Sequence, residues 1–362
     1  MSEAADRLPR REVLRRGGYC LAAALAGPGM AAIAAATPAD PPAPFRYCLN
    51  GSTIHGQNLS LAEEVEIAAA AGYQAFEPWV ARIQEFAARG GSLRDLRKRI
   101  VDLGLTVESA IGFDEWIPDS AEHSPNGIEG WKRDLDLVAQ IGGRRICAPP
   151  IGTIGPGDRD LQRVAARYRR LLKLGRSFGV TPQLELWGRA PVLHRLGEIA
   201  YVLAETGDPD ACAVLDVFHI YTSGSPPAGL RAFSRNSLHV FHLNDYPAEP
   251  PRERITDAFR VYPGDGVAPL AEMLRHLRAI GFRGFLSLEL FNDHYWHEPA
   301  RKVAQVGLEK MRAVAAAALS GTASVPFRKR LDADDAIHYT KNGDRQWLGR
   351  GPWPCRLLHP PH

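Results

Sequence analysis

Residues 174–187, LGRSFGVTPQLELW, read as a helix end, a glycine and an apolar strand closed by a carboxylate, Glu185. Residues 203–216, LAETGDPDACAVLD, repeat the arrangement and close on Asp216. A glycine just past a helix end takes the left-handed conformation at little cost, so each unit reads helix, stop, strand. The same unit recurs at Gly72, Gly104, Gly142 and Gly281. The long gap between Gly207 and Gly281 holds a further strand, SLHVFHLN, and FRYCLNG opens the series, which makes eight strands. Between them run amphipathic helices, with Leu193, Leu196, Ala200 and Leu203 on one face and Val164, Tyr168, Leu171 and Leu172 on another. Eight successive β/α units predict an α/β fold, the (β/α)8 TIM barrel, over residues 45–320. An open doubly wound sheet fits less well, because no glycine-rich phosphate fingerprint follows the first strand.

Four of the predicted strands end in residues that bind metals: Glu185 in TPQLELWG, Asp216 in CAVLDVFH, His242 in LHVFHLND and Glu289 in GFLSLELF. Burying a carboxylate at the end of an apolar strand is costly unless something pairs with it. In a barrel the carboxyl ends of the strands face the mouth. Alternation puts Gln183, Glu185 and Trp187 on one strand face, and Val214 with Asp216 on the next. Val240, His242 and Asn244 share a face, as do Ser287 and Glu289. If these faces point inward, three carboxylates and one imidazole meet at one place. Such an oxygen-rich set favours Mn²⁺ or Mg²⁺, and Co²⁺ or Zn²⁺ could also occupy it.

The flanks differ from the body. Arg10-Arg11 precedes a weakly apolar stretch from Leu21 to Ala36, with small residues Ala34-Ala35-Ala36 as a cleavage site. Residues 1–36 are therefore expected to be a twin-arginine-type signal peptide, which implies export to the periplasm or beyond and no membrane span in the mature chain. Residues 37–44, TPADPPAP, read as a Pro-rich lead-in, and residues 321–362 as a loosely ordered extension. The chain carries a net charge of +3, but +2 of it lies in residues 1–36 and +3 in residues 321–362, so the body is near −2. A body of that charge offers no general footprint for nucleic acid. Five cysteines with no CxxC pair read as free thiols, not a disulfide framework.

Residues 45–318 resemble the xylose isomerase-like barrel superfamily, specifically its sugar phosphate isomerase/epimerase group. The resemblance rests on LELWG, on LDVFH with its Asp-x-x-His, on HLNDYP and on LSLELF. It implies one divalent ion held by Glu185, Asp216, His242 and Glu289. It also implies proton abstraction next to a chelated carbonyl of a sugar or keto-sugar, through an enediolate, with Glu185 and Glu289 as the catalytic pair. His219, three residues after Asp216, is implied to contact substrate. The group has an Arg soon after the metal-binding His, and Arg252, with Arg254 beside it, is offered for that role although both come later than the spacing predicts.

Further candidates for the mouth are Glu77 in AFEPW, which could reach a substrate hydroxyl, Trp116 and Trp187, which could stack on a sugar face, and Asn50 and His55 after the first strand. Asp245 is positioned to orient His242. Because members of the superfamily often form dimers or tetramers, a homo-oligomer is within expectation. A lyase or dehydratase on a keto-cyclitol or keto-glycoside shares the first chemical step and stands as the alternative, as does a non-catalytic sugar-binding barrel. A multi-zinc DNA-repair endonuclease fits poorly, because SAIGF and CAPPI bring no histidine.

Overall fold

The structure is a computed structural model that describes residues 45–118, 127–152 and 154–320. Seven strands form one wholly parallel sheet: β1 Arg46–Asn50, β2 Ala75–Glu77, β3 Arg145–Ala148, β4 Thr181–Glu185, β5 Ala213–Asp216, β6 Leu238–Leu243 and β7 Phe285–Leu288. Their order, β2-β1-β7-β6-β5-β4-β3, places β2 and β3 at the two edges.

The third of the eight expected strands, residues 105–111, is not a regular strand, yet it joins those edges. On the β2 side the Phe76 N–H donates to Thr106 O at 3.0 Å and the Ile111 N–H to Pro78 O at 2.9 Å. On the β3 side the Ala110 N–H donates to Arg145 O at 3.1 Å and the Cys147 N–H to Ala110 O at 2.9 Å. Its bridges to β2 pair Ala75 with Thr106 and Trp79 with Ile111, so one extra residue lies on this segment between them. An extra residue of that kind breaks the ladder locally, as a β-bulge does. The ring is thus closed by hydrogen bonds all round, and the eight-strand expectation holds with one member irregular.

The helices are α1 Leu61–Ala71, α2 Val80–Ala88, α3 Leu93–Asp102, α4 Gly127–Gln140, α5 Leu161–Phe178 and α6 Leu196–Thr206. They continue with α7 Val217–Ser223, α8 Leu270–Ala279, α9 Asp293–Trp296 and α10 Ala300–Ser320. Their ends follow local chemistry. Ser60 and Glu63 form a reciprocal capping box at the start of α1, and Asp160 caps α5 through the N–H groups of Gln162 and Arg163. The six helix-ending glycines of the sequence pattern all take positive φ, Gly72 at 91° and Gly179 at 70° among them. One assignment changes: Leu193 is not helical. It sits ahead of α6 at φ 56°, fully buried, and its carbonyl receives the Trp187 N–H at 3.3 Å, so tertiary packing overrides the helical periodicity there.

Strand alternation sorts the core into shells. Leu184, Leu215, Phe241, Leu243, Leu286 and Leu288 pack outward into the large cluster shared with the helices. Val214 and Val240 belong instead to a small separate cluster with Ile111 and Cys147, and Cys48, Ala75 and Phe285 form another. These are the layers that fill a barrel's interior, and the predicted metal-binding side chains stand one step further along the same strand faces. Cys48, Cys147 and Cys212 are buried free thiols. Among the described residues no helix is long and apolar enough to cross a membrane.

Candidate functional site

Register decides which side chains meet. Asp216 lies opposite His242 between β5 and β6, and His242 opposite Ser287 between β6 and β7. Glu185 is the last residue of β4, and Glu289 follows β7 directly. All four sequence-predicted ligands therefore reach one end of the barrel, where Glu185 is 5%, Asp216 1%, His242 0% and Glu289 4% exposed. One ligand atom each from Asp216, His242 and Glu289 fits within 4.8 Å of the others.

His242 is held on both sides. Its Nε2 lies 3.2 Å from Glu77 Oε2, and its Nδ1 lies 3.1 Å from Glu289 Oε2 and 3.9 Å from Asp216 Oδ2. Nδ1 makes no hydrogen bond of acceptable geometry to either. Once the Nδ1 proton is displaced, the Glu77 contact would keep the other proton on Nε2 and turn the Nδ1 lone pair toward the carboxylates, which is the tautomer a metal ligand needs. Glu77 is itself fixed by Asn50 Nδ2 at 2.9 Å and Ser287 Oγ at 2.6 Å. The residue that orients His242 is thus Glu77, not Asp245. Asp245 accepts the backbone N–H groups of Tyr246, Gly264 and Ala268 and organises the loop after β6.

Arg260 is the site residue that the sequence reading missed. It is 1% exposed, and its Nη1 donates to Asp216 Oδ2 at 2.9 Å and to Glu289 Oε2 at 2.7 Å. Its Nη2 donates to Asp257 and lies 3.3 Å from His219 Nε2. Arg252, the arginine offered for that role on the family resemblance, points elsewhere: it is exposed, pairs with Glu253 and packs near Gly224. The loop after β6 is longer than the spacing argument allowed for, and the cis Glu249–Pro250 peptide lies within it. The clue available in the sequence was a single Arg between two aromatics, FRVY, leading into PGDG.

The charges divide unevenly. Burial pushes the Glu185 carboxyl up to about 8, with Glu289 and Asp216 adding to the rise and His242 opposing it. Burial would raise Glu289 too, but His242 and Arg260 prevail and bring it down to about 2. Burial disfavours a charged His242, yet Glu289 and Glu77 hold its pKa well above the ordinary value. His219 is lowered by burial, with Arg260 contributing in the same direction.

These residues fit a divalent cation. Glu185 Oε2 and Asn244 Oδ1 are buried without a hydrogen-bond partner, and His242 Nδ1 faces Glu289 without a well-aligned bond; an orphaned buried polar atom is expensive unless an ion or water completes it. The Arg260 guanidinium already supplies positive charge between Asp216 and Glu289. A second grouping, Glu77, Cys147 and His242, also lies within 4.8 Å. It fits poorly, because burial and then the nearby Glu185 and Glu77 raise the Cys147 thiol well above its usual value and keep it protonated.

Of the remaining candidates, Trp187 lies beside the cluster, with its ring 6.2 Å from that of His219. Trp116 is only 8% exposed; it packs 6.0 Å from Tyr168 and donates to Pro149 O at 2.8 Å, so it is spent on packing and does not join the cluster. Asn50 donates to both Glu77 and Glu289, the latter at 3.2 Å. His55 stacks on Trp79 at 5.0 Å. Residues 1–44 and 321–362, which include the expected signal peptide, lead-in and extension, lie outside the described residues.

Residues 65–314 match the profile of the xylose isomerase-like TIM barrel family, and the chain belongs to that family. A 3-dehydroshikimate dehydratase of Pseudomonas aeruginosa is 27% identical over 266 residues, which is 70% of this chain and 39% of that protein. The chain thus spans well under half the length of that relative. An inosose isomerase of Bacillus subtilis is 31% identical over 136 residues, 37% of this chain and 49% of that one. Among solved structures, a crystal structure of IOLI protein with a binding zinc atom superposes with a TM-score of 0.68 at 22% identity, covering 75% of this chain and 98% of that one. These relatives are enzymes, one named a dehydratase of 3-dehydroshikimate and the other an isomerase of inosose.

Proposed function

We propose that this member of the xylose isomerase-like barrel family is a divalent-metal-dependent isomerase or epimerase of a sugar or keto-sugar. The observation that carries the reading is that Asp216, His242 and Glu289 offer ligand atoms within 4.8 Å of one another at the carboxyl ends of β5, β6 and β7, while Glu185 is buried at the end of β4 with its Oε2 lacking a hydrogen-bond partner. Held by those four residues, a divalent ion would polarise a substrate ketone and acidify the neighbouring C–H bond.

The protein's own groups supply the rest. Glu185 and Glu289 rise from strands that have β5 and β6 between them, so they approach a bound carbon from different sides. Glu185 Oε2 has no hydrogen-bond partner, and its carboxyl, raised by burial, is the one suited to hold and release a proton. Glu289 is held ionised by His242 and Arg260. Two carboxyls whose surroundings drive them apart are suited to acid and base roles. His219, part-exposed beside the carboxylates, would hold a substrate hydroxyl, and Arg260, buried among Asp216, Asp257 and Glu289, would keep those carboxylates in position. The apolar interior layer beneath, Val214 and Val240 among it, keeps water from the floor of the site.

A dehydratase is the second reading, favoured by the match to 3-dehydroshikimate dehydratases across 70% of this chain. Both begin by removing a proton next to a ketone. Export through the Arg10-Arg11 segment belongs to the same proposal, and fractionation of cells expressing the chain with and without a double Lys substitution there would test it. The activity is tested by metal analysis of the purified chain beside Glu289→Gln, followed by incubation with keto-sugars in deuterated water. One metal per chain, reduced in the variant, and deuterium in a product of unchanged heavy-atom mass support the isomerase. A product lighter by one water points to the dehydratase. No metal after reconstitution sinks both.

A further inference from the structure

Above the buried carboxylates the side chains form a closed circuit. Phe291 lies 6.3 Å from Trp79, Trp79 5.1 Å from Phe113, and Phe113 6.4 Å from Trp187 between ring centroids. Trp187 lies 6.2 Å from His219, whose Nε2 is 3.3 Å from Arg260 Nη2. Arg260 returns to Phe291, with its guanidinium carbon 5.0 Å from that ring. Each aromatic member comes from the chain just past a different strand end, so the circuit runs round the mouth. It is not one local cluster. None of these rings is fully buried, and Phe113 is 39% exposed. Four large aromatic rings held part-open to solvent at one mouth are costly to leave uncovered.

We infer that this collar is a subsite for a second ring, so that the substrate is a neutral glycoside whose keto-sugar unit sits on the carboxylates while its neighbouring ring stacks on Phe113 and Trp79. The inference rests on the reading that the site below takes a sugar. Pyranose rings present apolar C–H faces, which suit the electron-rich face of an aromatic ring. Ligand sites of this type combine an apolar wall with a few polar groups that fix orientation.

Charge argues in the same direction. Glu77, Glu185, Asp216, Asp257 and Glu289 surround one guanidinium and one imidazole at the floor. Arg260 is already engaged by Asp216, Glu289 and Asp257. Arg82, whose charge reaches His55, is engaged by Glu64 and Glu85. Five carboxyls against Arg260, His242 and one divalent ion leave no net positive charge to hold a phosphate or carboxylate on the substrate, and a neutral sugar ring needs none.

The test is ligand-observed NMR and tryptophan fluorescence on the metal-loaded chain, with glucose, cellobiose, 4-nitrophenyl β-glucoside and glucose 6-phosphate as probes. The expected result is that cellobiose and the aryl glucoside bind about tenfold or more tightly than glucose, and that glucose 6-phosphate binds no better than glucose. Phe113→Ala should cut that preference at least threefold without altering metal content, and Phe113→Trp should keep it. Phe113 is 39% exposed and meets its neighbours through the rings of Trp79 and Trp187, so the substitution leaves the fold testable. Equal binding of glucose and cellobiose, absence of binding by every probe, tighter binding of the phosphate, or an unchanged preference in Phe113→Ala would each overturn the subsite. Metal binding with deuterium exchange but no glycoside preference removes the collar alone. A glycoside preference in a chain that holds no metal removes the enolisation reading alone.

Discussion

Glu77 and His242 stand 165 residues apart in the chain, yet Glu77 Oε2 and His242 Nε2 lie 3.2 Å apart with neither side chain exposed to solvent. The contact fixes the ring, and it leaves Nδ1 facing Asp216 and Glu289. Substituting Glu77 by Gln preserves size but lets the amide turn either a donor or an acceptor toward the ring, so the tautomer is no longer dictated. We expect metal affinity to fall about 10–100-fold, as is typical when the partner of a ligating histidine is changed. Titration of the metal-free chain with Mn²⁺ and Zn²⁺ checks this, with circular dichroism confirming an intact fold.

Arg260 neutralises Asp216 and Glu289 in the metal-free chain, with its Nη1 2.9 and 2.7 Å from them. Removing one partner of a buried ion pair leaves uncompensated charge and costs about 3–5 kcal/mol. Arg260→Met should lower stability by that order in the presence of a chelator. Saturating Mn²⁺ should narrow the gap, because the ion supplies the missing charge. Denaturant unfolding under both conditions reads the difference; an equal loss in each would contradict this account of Arg260.

Glu289→Gln removes a ligand and one member of the carboxylate pair. Deuterium incorporation into a turned-over keto-sugar should fall about 10²–10⁴-fold, the usual contribution of a positioned acid or base. Metal content should fall with it. Asn50→Ala, which removes a 3.2 Å contact to Glu289 and a 2.9 Å contact to Glu77, should have a smaller effect in the same direction. A larger effect for Asn50→Ala than for Glu289→Gln would reverse the assigned roles.

Away from the site, Asp134 on α4 is buried and its carboxyl is pushed up to about 7, by burial first and by Asp114 second, although Gln84 donates to it at 2.7 Å. A carboxyl whose folded pKa is raised binds its proton more tightly in the folded state. Stability is therefore lost as pH rises from the unfolded value near 3.9 through about 7. Asp134→Asn removes that loss, so its melting temperature relative to the parent should be higher at pH 8 than at pH 5. A pH-independent difference between the two proteins would refute the coupling.

Gly284 enters β7 where β6 passes closely: a Cβ there would fall well inside contact distance of the His239 carbonyl, a backbone atom that cannot rotate away. Gly284→Ala should destabilise by about 1–3 kcal/mol, as overpacking typically does. Gly179→Ala, with open space but φ 70°, should cost about 1–2 kcal/mol from backbone strain alone. Chemical denaturation of both variants separates a packing cost from a conformational one.

The sequence by itself determined the barrel and the strand-end positions of four candidate ligands. Helix-ending glycines set the period, strand alternation set which side chains face inward, and both are local rules that act within a few residues. They placed Glu185, Asp216, His242 and Glu289 at strand ends without knowledge of any contact. The irregular third strand escaped, because its bulge shows only against β2 and β3. Leu193 escaped because a buried loop position can hold a residue against its own backbone preference. Only the tertiary structure decided that Arg260, not Arg252, meets the carboxylates, since loop path is not written in residue spacing. It alone decided that Glu77 serves His242 and that five residues following different strands join Arg260 in one circuit round the mouth. Those relationships join side chains far apart in the chain, and electrostatic pairing and ring contact depend on distance in space rather than distance along the sequence.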